Sequence, residues 1–237
     1  MSEAKARLHE VQVRFVRSVD GDLREAPAEA AAGLGAEERL HLARIRRAEE
    51  RRDFLAAHAL ARRMLVRASG CLLAQLRFRF AADGRLEVAA PAAAIPFRVS
   101  LAHADGIALC AVALGRAVGA CVESTRALGP LGMASSLCSL REQQAMRALT
   151  AGKGVESLAS LWTLKEAIAK AARQGTSTET FEVGDASTWH VAVWRLTPNH
   201  FASVALPGEA GEGQVMHCEE DSPRVVPTPD RVALKRA

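Results

Sequence analysis

Residues 11–19 alternate, with Val11, Val13 and Phe15 set against Gln12, Arg14 and Arg17, which predicts a strand with one buried face. A charged, alanine-rich tract follows, and two helices are expected in it, over 37–47 and 51–69. In the second, Phe54, Leu55, Leu60, Met64 and Leu65 make an apolar stripe, and Gly70 supplies a stop. Residues 75–89 predict a hairpin: the alternating LRFRF, the turn Ala82-Asp83-Gly84, then RLEV. Two more strands are expected over 97–101 and 107–113, on either side of the turn Ala104-Asp105-Gly106, and another over 117–124. A Gly/Pro/Ser-rich loop, 128–139, leads into a helix over 140–149 and then into the clearest amphipathic pattern of the second half, 155–173. Strands are expected over 180–183, 190–196 and 201–205. Beyond Pro207 the chain turns to Gly, Glu, Pro and Arg, and roughly the last 25 residues are expected to be weakly ordered. Strands and helices recur in both halves without strict alternation, so the expected class is α+β. The expected units are 1–115, 116–210 and a tail, 211–237.

The bulk composition narrows the function classes. The chain has 237 residues, 49% hydrophobic and 24% charged, enough for a substantial core. Aromatic residues are only 4% and tyrosine is absent, which leaves few platforms for stacking unpaired bases. The net charge of +4 comes from 31 basic and 27 acidic residues. Such a mixed surface suits an anionic small molecule or an acidic protein partner better than a nucleic acid. Five scattered cysteines (Cys71, Cys110, Cys121, Cys138 and Cys218) contain no CxxC pair, so neither a disulfide scaffold nor a zinc knuckle is expected. No segment reaches the roughly 18 apolar residues of a membrane span, and the charged N-terminus lacks an apolar signal core. A soluble cytoplasmic protein is expected, with no membrane or nucleic-acid partner.

The candidate chemistry centres on Trp162-Thr163-Leu164-Lys165-Glu166-Ala167-Ile168-Ala169-Lys170. By periodicity alone this is an amphipathic helix carrying an i,i+4 Glu166–Lys170 pair. Its string, however, closely resembles the W-[ST]-x-K-E-A-x-x-K signature of the surfactin-type 4'-phosphopantetheinyl transferase superfamily. Two further stretches fit in the right order. The helix Arg51-Arg52-Asp53-Phe54-Leu55-Ala56-Ala57-His58-Ala59-Leu60-Ala61-Arg62-Arg63 resembles that family's RRxFLxxRxLLR segment. Phe97-Arg98-Val99-Ser100-Leu101-Ala102-His103 and Val118-Gly119-Ala120-Cys121-Val122-Glu123 resemble its FxxSxSH and VGxDxE strands. Together the resemblance spans roughly residues 35–205.

The resemblance implies the 4'-phosphopantetheinyl transferase fold, a pseudo-twofold pair of similar α+β halves with the site in the cleft between them. It also implies transfer of the phosphopantetheine arm of coenzyme A to a serine of an acyl or peptidyl carrier protein, in polyketide, nonribosomal peptide or fatty acid biosynthesis. A monomer using Mg²⁺ is expected from it. By position, Glu123, Glu166 and Cys121 fall where the family holds magnesium, and Glu166 is also the expected base for the serine hydroxyl. Lys165 would steady the phosphates, with Lys170 a further phosphate contact, and His103 would meet the 3'-phosphate of the coenzyme. His58 falls where the family has an arginine for the same phosphate.

Several positions depart from the pattern. Cys121 replaces an aspartate, and a thiol is a poor ligand for an ion that prefers oxygen. His58 offers an imidazole in place of a charged guanidinium fork. Ala90 in Ala89-Ala90-Pro91 stands where a cation is usual, Ala102 replaces a serine, and Gln174-Gly175-Thr176 only partly matches a Gly-x-Gly turn. Three readings therefore stay open. One is a working transferase. Another is an enzyme of a different class acting on carrier-bound acyl chains, with Cys121 as its nucleophile. The third is a non-catalytic protein that docks a carrier.

Overall fold

The computed structural model describes residues 11–18, 31, 33–82, 84–128, 138–147, 151–172, 189–208 and 216–220. Its elements run β1 (Gln12–Arg17), α1 (Ala36–Arg44), α2 (Ala48–Ser69), β2 (Arg77–Phe80), β3 (Leu86–Ala90), β4 (Phe97–Ala104), β5 (Ile107–Leu114) and β6 (Gly119–Ser124). After these come α3 (Leu140–Arg147), α4 (Ala151–Ala172), β7 (Trp189–Thr197), β8 (His200–Pro207) and β9 (His217–Glu220). The architecture is α+β.

One sheet has the order β4-β5-β1-β9 and a second β6-β8-β7, while β2 and β3 form a separate hairpin. In each of the two larger sheets the strand before the long helix pairs antiparallel with the last strand of the antiparallel hairpin that follows. The two halves therefore share one β-α-β-β connectivity. Along β5, Leu109, Ala111 and Ala113 join a core shared with Ala120 and Val122 of β6 and Val204 and Leu206 of β8. The alternate residues Ala108, Cys110 and Val112 pack beneath Leu60, Met64 and Leu65 of α2. Cys121 of β6 packs with Leu164, Ala167 and Ile168 of α4. Each long helix thus covers the outer face of its own sheet, and the inner faces of both sheets meet in one core. Covered on both faces, β5 has no polar position at all, as its sequence IALCAVAL requires.

Most expected elements are found where the periodicity places them. Gly70 ends α2 at φ 70°, the left-handed stop its sequence position predicts. The tail expected to be weakly ordered is corrected in one place: β9 pairs parallel with β1 and buries Met216 and Cys218 in the shared core. The composition hid this strand because it is four residues long and three of its residues, His217, Glu219 and Glu220, are polar. The strand expected at 180–183 and the turn Gln174-Gly175-Thr176 lie outside the described residues. No described helix is long and apolar enough to cross a membrane.

Candidate active site

Strands β4 and β6, from opposite halves, lie side by side and are joined by side chains. The Ala120 amide donates to Ser100 Oγ at 2.9 Å. Lys170 Nζ donates to Ala120 O at 3.0 Å and to Leu101 O at 3.4 Å. Lys170 reaches this seam because it sits one helical turn beyond Glu166, on the face of α4 that packs on β6.

Cys121, Glu123 and Glu166 each feel the charge of this ammonium. Burial raises the Glu166 carboxyl above its ordinary range, with Lys170 acting against it. Burial likewise raises Glu123; Asp105 adds to the rise, while the Ser124 amide (2.9 Å), Lys170 and a hydrogen bond with Trp162 oppose it. Two half-desolvated carboxyls beside one ammonium suit a group that must exchange protons or accept a bound cation.

Cys121 is different. Burial pushes its thiol up to about 12 despite Lys170, and Glu166 and Glu123 push the same way. Its Sγ donates to its neighbour's carbonyl, Val122 O, at 3.9 Å. A buried thiol with a raised pKa behaves as a small apolar side chain, which weighs against Cys121 as a metal ligand or nucleophile. Among the described residues no three His, Cys, Asp or Glu side chains converge as a metal cluster. Glu123 and Glu166, each acted on by Lys170, are the carboxylates left for a cation there, and magnesium is commonly held by one or two carboxylates completed by substrate phosphates and water. All five cysteines are buried. Native protein should accordingly give no fast-reacting thiol in a chromogenic thiol titration, and all five should react once denaturant is added. A rapid stoichiometric thiol that maps to Cys121 would restore the nucleophile reading.

Lys165 turns the other way. Consecutive helix residues point about 100° apart, so Lys165 faces α3 while Glu166 faces the seam. With a side chain 1% exposed, its Nζ lies 2.6 Å from Glu142 Oε2. The expected free phosphate contact is thus a buried ion pair. The same Glu142 oxygen accepts the Ser139 amide at 2.8 Å, and the Glu142 amide donates to Ser139 Oγ. This capping box starts α3, and its S-x-x-E signal was readable in the sequence; its link to Lys165 was not.

His58 is also committed. Its Nδ1 lies 2.6 Å from Glu38 Oε1, and Arg62 holds both Glu38 oxygens at 2.9 and 2.6 Å. Burial lowers the His58 pKa, with the Glu38 contact opposing that shift. His58 is therefore a structural partner of Glu38 more than a phosphate grip. His103, near the end of β4, is likewise lowered by burial, with Asp53 and Glu50 acting in the other direction.

His58, His103 and Lys170 all line one cavity of about 520 Å³ between α2, the β2–β3 hairpin and β4. Its wall carries Arg79, Arg85 and Arg98 against the single carboxylate Glu87. His41 stacks on Phe54 and on Phe80, each at 5.4 Å between ring centroids. An anion carrying a planar ring fits such a wall. Sequence reasoning missed His41 and the hairpin arginines, because only the folded hairpin brings them opposite α2.

Two comparisons bear on this geometry. A family model described as the 4'-phosphopantetheinyl transferase superfamily matches residues 117–212, which carry β6, α4 and both carboxylates. Over those residues the chain is similar to that superfamily, which supports membership of it. It is also 27% identical over 199 residues to 4'-phosphopantetheinyl transferase HetI of Nostoc sp. (strain PCC 7120), covering 79% of this chain and 84% of the relative. The superfamily match falls on the second half, where Glu123, Glu166 and Lys170 meet; the more basic cavity wall comes from the first.

Proposed function

We propose that the chain is a phosphopantetheinyl transferase, moving the phosphopantetheine arm of coenzyme A to a serine of an acyl or peptidyl carrier protein. The observation that carries this reading is the grouping of Glu123, Glu166 and Lys170 at the seam of the two halves, beside the basic cavity. On this reading the units 1–115 and 116–210 flank one cleft. Coenzyme A lies across it, with its ring near the His41 stack and its phosphates toward His103, Arg98 and Lys170.

The serine oxygen attacks the phosphorus that bears the pantetheine arm, and the pyrophosphate bond to the nucleotide breaks. Glu166, its carboxyl raised by burial and set close to Lys170, takes the serine proton directly or through water. Lys170 offsets negative charge on the departing phosphate. Glu123, oriented by Trp162 and the Ser124 amide, and Glu166 would hold magnesium, which when bound neutralises the pyrophosphate. The Lys165–Glu142 pair locks the rotation of α4, so that Glu166 and not Lys165 faces the cleft.

Intact mass of an apo carrier protein, incubated with the chain, coenzyme A and Mg²⁺, tests this. A gain of one phosphopantetheine arm is expected, slowed at least about 100-fold in Glu166→Ala. No gain across several carriers would reject the transferase. One observation favours a second reading, that of a non-catalytic carrier-binding protein: Cys121 removes a carboxylate from the seam. If Cys121→Asp gains transfer that the natural chain lacks, that second reading stands.

A further inference from the structure

Asp105, at the tip of the β4–β5 turn, has φ 44° and is the only non-glycine residue with positive φ among those described. Glycine reaches this region at no steric cost, and Asp reaches it more readily than most side chains. Its side chain and carbonyl explain why an aspartate is useful there. Ser124 Oγ donates to Asp105 Oδ2 at 2.9 Å, and His200 Nε2 lies 3.2 Å from Asp105 O. Thr197 Oγ1 accepts from the Asn199 amide at 3.2 Å and lies 2.7 Å from His200 Nδ1. A Thr197 hydroxyl that donates to Nδ1 leaves Nε2–H free to donate to the Asp105 carbonyl. Burial keeps His200 below its ordinary pKa, consistent with that neutral ring. Arg126 stands at 3.9 Å from the same carboxylate.

The other flank of the turn is held by its own half. The Gly106 amide donates to Asp53 Oδ2 at 3.0 Å, and Asp53 also accepts from Ser18 Oγ. One turn is thus gripped by α2 from the first half and by β6 and β8 from the second. One candidate site residue from each half lies close to this turn or its partner along the chain: His103 is two residues before Asp105, and Glu123 immediately precedes Ser124.

We propose that Asp105 is a positioning residue, a clamp that sets the spacing of His103 from Glu123 across the cleft. The proposal rests on the transferase reading for its kinetic consequence but not for its geometry. A displacement of about 1 Å at a reacting centre is enough to cost up to two orders of magnitude in rate. Asparagine at 105 keeps both the acceptor and the tolerance of positive φ. Glycine relaxes the backbone and deletes the carboxylate arm of the clamp, leaving the carbonyl contact to His200.

The test compares the full chain with Asp105→Asn, Asp105→Gly, Ser124→Ala and the Asp105→Gly/Ser124→Ala double variant. It reads kcat and KM for coenzyme A, the thermal midpoint, and the His103 ring resonance by NMR. Asp105→Gly and Ser124→Ala should each lower kcat/KM about tenfold, and the double variant should lose no more than the worse single. Asp105→Asn should stay within about twofold. The His103 resonance should move in Asp105→Gly and hold in Asp105→Asn. Wild-type kcat/KM in Asp105→Gly, additive losses in the double variant, or equal losses in the Asn and Gly variants would overturn the clamp. If the natural chain transfers no arm, the transferase reading fails by itself and the clamp is judged on His103 alone. An unmoved resonance in Asp105→Gly would then overturn it.

Discussion

Gly119→Ala is expected to destabilise the protein by more than about 3 kcal/mol, lowering the thermal midpoint by roughly 6–12 °C. A Cβ on Gly119 would sit 1.8 Å from Ala167 O, 2.7 Å from Ala171 N and 2.9 Å from Ala167 C. All three atoms belong to the backbone of α4, so no side-chain rotation relieves the overlap. The requirement is one of space, since Gly119 is not among the glycines with positive φ. The only escape is to move α4 off β6, which would open the packing of Leu164, Ala167 and Ile168 and draw Glu166 and Lys170 from the seam. Thermal and denaturant unfolding check the loss. Because the same contact sets the helix that carries Glu166 and Lys170, the proposed transfer to a carrier should fall further than the folded fraction does. A Gly119→Ala protein with the natural midpoint and natural activity would mean that helix and strand are less closely packed than described.

Glu38→Ala should cost about 3–5 kcal/mol, since it leaves the buried Arg62 guanidinium without its carboxylate. The Glu38 side chain is 0% exposed and receives His58, both Arg62 nitrogens and the Gly35 amide at 2.7 Å. Burial alone would raise its carboxyl; the bonds from His58 and Arg62, the Arg62 charge and the Gly35 amide overcome it and hold the pKa at about 2. A folded-state pKa below the unfolded value stabilises the protein at higher pH. That contribution is complete above the ordinary value of 4.5 and is lost as pH falls towards 2, amounting to about 3 kcal/mol. His58 deepens the same acid loss, because burial keeps its folded pKa below the ordinary value. Stability measured from pH 7 down to pH 2 should therefore fall less steeply in Glu38→Ala than in the natural chain. Equal slopes would show that the Glu38 carboxylate is not what the acid limb titrates. Since α1 also carries His41, loss of this anchor should, on the proposed transferase reading, weaken coenzyme binding as well.

The resemblance to the superfamily was legible because its signals are local strings. Trp162 to Lys170 identifies a helix and its polar positions within nine residues, and Val118 to Glu123 places a glycine and a carboxylate on one strand. The α+β order was legible for the same reason, since a period of two or of 3.6 and a turn glycine are properties of neighbouring residues. Glu142 marked the start of α3 through its capping box. Its partner Lys165 lies 23 residues further on, and no local pattern joins them. The strand His217–Glu220 escaped notice because its stability comes from β1, some two hundred residues away, and not from its own composition.

By itself, then, the sequence determined the class of fold, the order of its elements and the stretches that carry the candidate chemistry. The tertiary structure alone decided which charges in those stretches face the cleft. Helix periodicity says that α4 has a buried face, but not how far that face is rotated about its axis. That rotation sends Glu166 and Lys170 to the seam and Lys165 to Glu142. It likewise took packing between distant segments to bind His58 to Glu38, to enclose Cys121 against α4, and to set Gly119 of β6 against the backbone of α4.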